Sequence, residues 1–174
     1  RWLKVKGTFT VAEKIKVKGT FTVAEKINNT GDTMKRYFVI YNPSSGRELA
    51  GHKIFNVAET VMRVEDIEFS FYATKKKGDG EIAATKSCES GYDMIIACGG
   101  DGTVNEVVNG MMKCSNRPNL AILPAGTIND FAEQLKVPKA QASFASLIMK
   151  NKFKKVDIGK VNSDYFINVV GGGA

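Results

Sequence analysis

The chain has 174 residues, with 43% hydrophobic and 25% charged residues, ordinary values for a soluble globular domain with one sizeable core. No apolar run approaches the roughly 18 residues of a membrane-spanning helix, so neither a membrane span nor a signal peptide is expected. The net charge is +7, but residues 34–174 carry only +3 of it, which argues against a dedicated nucleic-acid binder with its concentrated basic face.

The cysteines and the single histidine suggest no metal or disulfide chemistry. Cys88, Cys98 and Cys114 are odd in number and lack C-x-x-C spacing, so we expect reduced thiols in a cytoplasmic protein rather than a disulfide framework or a zinc site. His52 lies in a helix-like segment far from the glycine-rich loops, which favours a surface role.

Residues 1–33 form an atypical first segment. The twelve residues "KVKGTFTVAEKI" occur identically at 4–15 and 16–27, and apolar residues alternate within each copy, a pattern typical of a half-buried strand. Two copies are too few for a repeat array, so the identity indicates a recent duplication or an added piece. The polar residues 28–33 are predicted to be a linker, and 34–174 the main domain.

Beyond residue 34, predicted strands and helices alternate. The strands are expected at 36–42, 67–74, 92–98 and 119–125, with two late strands near 154–161 and 165–170. The helices are expected at 48–64, 78–91, 103–113, 129–135 and, after Pro138, up to about Lys150. This order predicts an α/β fold, namely a doubly wound, mostly parallel sheet with helices on both faces.

Three of the predicted strands run into polar loops that contain glycine. These loops are "NPSSG" (42–46), "GGDG" (99–102) and "PAGT" (124–127). Ligands of doubly wound sheets bind at the carboxyl ends of the strands, so the loops should meet in a crevice of phosphate size.

The "GGDG" loop has a functional and a structural interpretation. Its glycines let backbone N–H groups approach an anion at a helix N-terminus, and Asp101 could hold a metal ion or take a proton from an attacking hydroxyl. Alternatively, Thr103 and Glu106 have the T-x-x-E spacing of a helix capping box, and Thr127 stands in a similar cap-compatible position before Asp130. Both the "GGDG" and the "PAGT" loops place glycine between the end of a strand and the start of a helix. The recurrence of this arrangement in two neighbouring loops favours the functional interpretation.

Other nucleotide signatures are absent or weak. A P-loop does not occur, and a G-x-G-x-x-A at Gly78, Gly80 and Ala83 is separated from its strand by Lys75–Lys77. We therefore do not interpret it as a dinucleotide-binding motif.

Together, "NPSSGR" (42–47), "GGDGTVNEVVNG" (99–110), "PAGTINDFA" (124–132) and "VDIGKVNSDYFINVVGGGA" (156–174) resemble the diacylglycerol kinase catalytic domain, especially that of soluble bacterial lipid kinases. The resemblance covers about residues 35–174. NAD kinases and phosphofructokinases share the "GGDG" element, so the resemblance implies a nucleotide-binding domain of their kind.

The resemblance implies an ATP- and Mg²⁺-dependent kinase that phosphorylates a hydroxyl of a diacylglycerol-like lipid. It implies a cytoplasmic protein with peripheral contact at the inner membrane face, and a homodimer stays open. Asp101 is the implied catalytic group, and no metal ligand is assigned. The implied nucleotide-binding residues are Asn42, Ser45, Gly46, Thr74, Gly99, Gly100, Asp101, Gly102, Thr103, Val104, Asn105, Glu106, Gly126 and Thr127.

Members of this family continue into a β-rich C-terminal domain, which carries a catalytic base within a D-G-E-type motif. The "DGE" at 79–81 does not match that position, so we expect that domain to be missing and the chain to be inactive alone. Two alternatives remain open: a nucleotide-binding module without catalysis, and a kinase of the NAD kinase or phosphofructokinase type. Lysine clusters at 74–80 and 150–155 are candidates for contact with anionic lipid, although solvated surface is the simpler interpretation. Asp157 is interpreted as a strand-end residue rather than a site residue.

Overall fold

The computed structural model describes residues 34–46, 50–151 and 153–167, together with the strand residues 2–4, 6–7, 10–11, 15–16 and 19–20. Most of the duplicated segment, the predicted linker 28–33 and the end of the last predicted strand lie outside the described residues.

Strands and helices alternate between residues 35 and 124, and two helices and three short strands follow. The strands are β1 Trp2–Lys4, β2 Lys6–Gly7, β3 Thr10–Val11, β4 Ile15–Lys16, β5 Gly19–Thr20, β6 Lys35–Tyr41, β7 Ile67–Ala73, β8 Met94–Gly99, β9 Asn119–Pro124, β10 Phe153–Lys155, β11 Gly159–Val161 and β12 Asp164–Phe166. The helices are α1 Ala50–Met62, α2 Asp79–Glu89, α3 Asp101–Met112, α4 Asp130–Gln134 and α5 Gln141–Met149.

The main sheet has the strand order β10-β1-β9-β8-β6-β7. Strands β7, β6, β8 and β9 are parallel, whereas β1 runs antiparallel to β9 and parallel to β10. The short strands β11 and β12 form an antiparallel hairpin. The prediction of a mostly parallel α/β sheet is confirmed.

Helices cover both faces of this sheet. The chain moves from β6 to β7 in one direction and from β7 to β8 in the other, and right-handed crossovers then place α1 and α2 on opposite faces. Accordingly, α1 packs against α5, and α2 packs against α3. Every residue of β8 is buried, as expected for a strand covered on both sides.

The contact between α2 and α3 is unusually close because it includes a glycine. A Cβ atom at Gly110 of α3 would collide with the carbonyl of Glu81 on α2, and the Thr85 hydroxyl donates to the Gly110 carbonyl at 3.1 Å. This packing fixes the position of α3 behind the edge of the sheet where the glycine-rich loops lie.

Two details differ from the sequence prediction. The strand expected at 154–161 is interrupted, because residues 156–158 separate β10 from β11, and the exposed Asp157 lies in this gap rather than at a strand end. Helix α3 begins at Asp101, two residues before the expected start. No helix in the part of the chain that the structure describes has the length and apolar character needed to cross a membrane.

Candidate functional site

The strand order reverses between β6 and β8. The chain leaves β6 towards β7 on one side and returns to β8 on the other, so the crossover helices diverge there and open a crevice at the carboxyl ends. The loop of residues 42–46 follows β6, and the "GGDG" loop follows β8. The N–H of Asn42 donates to the carbonyl of Cys98 at 3.0 Å and holds the start of the first loop beside the second.

Backbone hydrogen bonds bring the remaining predicted segments to the same edge. The N–H of Thr74, after β7, donates to the carbonyl of Tyr41 at 2.9 Å, and the N–H of Ala125, after β9, donates to that of Gly99 at 3.0 Å. The three predicted loops and Thr74 therefore lie side by side along the edge of the sheet that the carboxyl ends of the parallel strands form.

The loop after β6 is folded by its own first residue. The Asn42 side-chain oxygen accepts from the N–H of Ser44 at 2.9 Å, and its carbonyl accepts from that of Ser45 at 3.1 Å. Gly46 has a φ of 77°, a left-handed conformation that glycine adopts without steric cost. Asparagine and glycine thus form a tight turn beside the crevice.

The "GGDG" and "PAGT" loops touch through their glycines. A Cβ atom at Gly126 would lie only 2.5 Å from the Cα atom of Gly100, so a side chain there would push the loops apart. The buried Asn129 secures this loop, accepting from the Gly126 N–H at 3.0 Å and donating to the Gly126 carbonyl at 2.6 Å. Sequence reasoning missed Asn129, although an asparagine three residues after a loop glycine is typical of such side-chain turns.

The predicted capping box at Thr103 and Glu106 is wrong. Helix α3 already begins at Asp101, its N-cap is Gly100, which has no side chain, and no side chain of the described residues accepts an N–H group from residues 101–103. The Thr103 side chain packs on Gly99, where a Cβ atom would lie 2.5 Å from the Thr103 Oγ1. The N–H groups of the first turn of α3 therefore remain available to an anion.

Glu106 caps a different helix. Its Oε1 accepts from the N–H of Gly78 at 2.9 Å, and its Oε2 accepts from that of Gly80 at 3.1 Å, at the start of α2. A Cβ atom at Gly80 would lie 2.9 Å from Oε2, so glycine is needed for the carboxylate to approach. The two glycines of the G-x-G-x-x-A pattern thus donate their N–H groups to a carboxylate of the protein itself, that of Glu106.

Asp101 caps α4. Its Oδ2 accepts from the N–H of Asp130 at 2.9 Å, and its Oδ1 accepts from that of Phe131 at 3.3 Å. The cap expected from Thr127 is wrong, because the N-cap of α4 is Asn129 and Thr127 is exposed. Each carboxylate oxygen of Asp101 keeps a lone pair for another partner.

Asp79 organises the lysine-rich loop before α2. Its Oδ2 accepts from the N–H groups of Lys75 at 2.8 Å and Lys76 at 3.1 Å, and these bonds, led by that from Lys75, lower the pKa of Asp79 against the opposing effect of burial. Lys75, Lys76 and Lys77 are exposed. The "DGE" triplet is thus the capped start of a helix.

A cavity of about 300 Å³ lies beside α3, on the side of α2 and the β11–β12 hairpin. Asn105 and Glu106 line it, so these two predicted site residues face α2, and the Val104 side chain is buried in the core. Asn109 fixes the hairpin, donating to the Tyr165 carbonyl at 2.7 Å and accepting from the Tyr165 N–H at 2.8 Å. These two residues therefore lie on the α2 side of α3, whereas backbone hydrogen bonds hold Asn42 and Thr74 at the sheet edge where Gly99 lies.

The described residues offer little other reactive chemistry at this edge. All three cysteines are free thiols, and burial raises the pKa of Cys98, at the end of β8, to about 12, so its thiol stays protonated. Within the described ranges, no group of three or more His, Cys, Asp or Glu side chains forms a metal cage. Asp101 is the carboxylate of the "GGDG" loop, and Mg²⁺ bound with phosphates usually needs only one or two carboxylates.

Comparison with known proteins identifies the family. The sequence profile of the diacylglycerol kinase catalytic domain matches residues 36–161. The chain is 46% identical over 139 residues to a diacylglycerol kinase of Staphylococcus saprophyticus, covering 80% of this chain and 45% of that protein. It is 43% identical over 141 residues to a diacylglycerol kinase of Staphylococcus aureus strain Newman, with 80% and 44% covered.

A solved structure shares the fold. The crystal structure of a diacylglycerol kinase from Bacillus anthracis str. Sterne matches with a TM-score of 0.69 and 35% identity, covering 79% of this chain and 47% of that one. The chain thus spans somewhat less than half the length of these relatives. The resemblance seen in the sequence is confirmed, and the chain belongs to the diacylglycerol kinase catalytic domain family.

Proposed function

We propose that this chain is the ATP-binding part of a lipid kinase that transfers the γ-phosphoryl group of ATP to a hydroxyl of a diacylglycerol-like lipid. The observation that carries the proposal is the contrast between neighbouring helix N-termini. Carboxylates of α3, on Glu106 and Asp101, accept backbone N–H groups at the starts of α2 and α4, whereas no side chain of the described residues accepts an N–H group from residues 101–103 at the start of α3. The start of α3 is therefore where an external anion such as a phosphate would bind.

Gly102 supports the same position for the phosphates. It lies exposed in the first turn of α3, and a Cβ atom there would meet no described residue within 4 Å. Glycine weakens a helix relative to alanine by roughly 0.5–1 kcal/mol, and no contact with the described part of the chain requires it here. A phosphate bound close to the backbone here would require glycine, because a side chain would occupy its space.

We assign roles in nucleotide binding to the other predicted residues from their positions at this edge of the sheet. Backbone N–H groups of α3 bind the phosphates, Thr74 and Thr127 offer hydroxyls nearby, and Asn42 and Gly46 shape the opposite wall. ATP supplies the phosphoryl group when bound, and Mg²⁺ neutralises charge on it. Asp101 has lone pairs left to meet a metal ion or the proton of the acceptor hydroxyl.

Contact with a lipid surface is the second part of the proposal. Lys75, Lys76 and Lys77 are exposed at the same edge of the sheet as the crevice, and each lysine near an anionic leaflet contributes about 1 kcal/mol. Their position would orient the crevice towards a membrane that contains the acceptor lipid.

Two measurements on the 174-residue chain test the proposal. Calorimetry with ATP and Mg²⁺ should show saturable binding, and NAD⁺ or a sugar phosphate should not act as phosphoryl acceptor. Transfer of labelled phosphate to diacylglycerol vesicles should be weak, because the chain spans under half of its relatives. Absence of ATP binding would contradict the proposal, and phosphorylation of NAD⁺ or the sugar phosphate would favour the alternative kinase type.

A further inference from the structure

The thiols of Cys88 and Cys114 lie side by side where helices α2 and α3 end. Cys88 belongs to the last turn of α2 and is only 6% exposed, whereas Cys114 follows the end of α3 and is partly exposed. The two side chains are in hydrogen-bond contact. Both helices begin at the sheet edge that carries the glycine-rich loops, so this pair of thiols lies at their opposite ends, away from the crevice.

The packing register of the two helices accounts for this contact. Gly110 of α3 lies so close to α2 that a Cβ atom there would be 2.8 Å from the Cβ atom of Ala84. Residues four apart are neighbours on a helix face, so one turn further along both helices Cys114 comes opposite Cys88. In agreement, the Cys114 Sγ lies 3.6 Å from the carbonyl oxygen of Thr85, three residues before Cys88.

The surroundings of the two thiols give them different reactivities. Burial and the contact with Cys114 raise the pKa of the Cys88 thiol, and the positive charge of Arg117 opposes this effect. Arg117 is held near the pair by its hydrogen bonds to the carbonyls of Met111 at 2.8 Å and Met112 at 3.2 Å. Cys114 is therefore the thiol that a small reagent reaches first, and Cys88 is the shielded partner.

We propose that Cys88 and Cys114 form a reversible disulfide within the chain on exposure to hydrogen peroxide, and that this bond locks α2 to α3. The Cys114 thiolate attacks the peroxide, so that an S–O bond forms, the O–O bond breaks, and the released hydroxide takes up a proton as water. The Cys88 sulfur then attacks the resulting Cys114 sulfenic acid. The S–S bond forms, the S–O bond breaks, and hydroxide leaves with the Cys88 proton as a second water.

The backbone around Cys114 can accommodate the bond. The C-cap of α3 is Lys113, so Cys114 belongs to the turn between α3 and β9 and can move without breaking a helix. The sulfur atoms of a disulfide are about 2.05 Å apart, and thiols already in contact reach this distance by side-chain rotation and a small shift of the turn.

The disulfide closes a covalent loop around part of the main domain. The residues between the two cysteines include β8, the "GGDG" loop and α3. A cross-link of this kind restricts the unfolded chain, so the melting temperature of the oxidised protein should exceed that of the reduced protein by roughly 5–10 °C. A melting temperature that oxidation leaves unchanged or lowers would contradict the lock between the two helices.

Thiol counting on the 174-residue chain tests the proposal. After denaturation, the reduced chain should show all three of its thiols, and the peroxide-treated chain should show one. Peptide mapping should identify the lost pair as a Cys88–Cys114 disulfide and the remaining thiol as Cys98, which is buried in β8. Dithiothreitol should restore the other two. Three thiols after oxidation, a disulfide that includes Cys98, or bonds only between separate chains would overturn the proposal.

Three variants separate the roles of the two thiols. In Cys88→Ala the sulfenic acid of Cys114 has no partner, so dimedone should label it after peroxide treatment. In Cys114→Ala no disulfide should form, and Cys88 should stay reduced. Cys98→Ala is the matched control and should form the disulfide at the wild-type rate. Oxidation of Cys88 in the Cys114→Ala protein, or the absence of label on Cys114 in Cys88→Ala, would refute the order of the two steps.

Discussion

The Glu106 carboxylate on α3 accepts the backbone N–H of Gly80 on α2 at 3.1 Å, across 26 residues of sequence. Together with its bond to Gly78, this contact neutralises the start of α2. Asp101 does the same for α4. Helix α3 therefore caps its neighbours with its own acidic side chains, while no side chain of the described residues accepts an N–H group from its own first turn.

Replacing Glu106 should destabilise the protein. Glu106→Ala removes two charge-assisted hydrogen bonds and leaves part-buried N–H groups unpaired, so the free energy of unfolding should fall by about 1–3 kcal/mol. Glu106→Gln keeps one acceptor and should cost less. Urea unfolding measures both, with Glu59→Ala as control, because its exposed pair with Arg63 contributes at most about 1 kcal/mol. Equal stability of the Glu106→Ala and Glu59→Ala variants would contradict the capping role.

The hydrogen bonds to Asp79 predict a pH dependence of stability. Its pKa is lower in the folded protein than the ordinary value of about 3.9, so its contribution is present above that pH and is lost as the pH falls through the folded pKa. Asp79→Asn should be less stable than wild type at pH 7, and the difference should shrink below about pH 4. Thermal unfolding across this range checks it, and a difference that stays constant down to low pH would argue against the assignment.

The capping of α4 by Asp101 can be separated from the metal binding that we propose for it. Asp101→Asn keeps an acceptor for α4, so the fold should persist with a loss of about 1 kcal/mol, while the Mg²⁺-dependent part of the ATP affinity should disappear. Asp101→Ala should lose the cap as well. Calorimetry with Mg²⁺ and with a chelator measures the difference. If Asp101→Asn retained the full Mg²⁺ effect and any residual phosphoryl transfer, the carboxylate would have only its capping role.

The contact between the two glycine loops should tolerate no side chain. Gly126→Ala places a Cβ atom 2.5 Å from the Gly100 Cα and 2.9 Å from its N, and backbone cannot yield as a flexible side chain would. We expect a loss of about 1–3 kcal/mol in stability, typical of overpacking, together with weaker ATP binding. Unfolding and calorimetry test both, and a fully stable variant with wild-type affinity would contradict this packing.

Sequence patterns were sufficient for the four parallel strands and the loops that follow them. The second predicted strand, 67–74, is found at Ile67–Ala73, because short runs rich in aromatic residues and bounded by polar residues favour a strand. The rule that ligand loops follow parallel strands then placed Asn42, Gly100 and Gly126 at one edge. These predictions depend on local composition and on sheet topology.

The capping partners could not be predicted in this way. Thr103 and Glu106 have the spacing of a local capping box, yet Glu106 bonds to residues 26 and 28 positions earlier, and Asp101 to residues 29 and 30 positions later. A local motif cannot show that a carboxylate has a better partner on another helix. Asn129 is a different case, because both of its hydrogen bonds are to Gly126, three residues earlier, and a local turn pattern could have indicated them.

The most direct test is the effect of Gly102→Ala on stability and on ATP affinity. Because a Cβ atom at this position meets none of the described residues within 4 Å, alanine should raise the melting temperature, with a gain of up to about 1 kcal/mol. It should nevertheless weaken ATP binding about tenfold, roughly 1.4 kcal/mol, since the methyl group would occupy the space of a phosphate. Asn56→Ala, on the exposed face of α1, is the matched control that should leave ATP affinity unchanged. A stabilised Gly102→Ala protein that binds ATP as tightly as wild type would contradict phosphate binding at the start of α3.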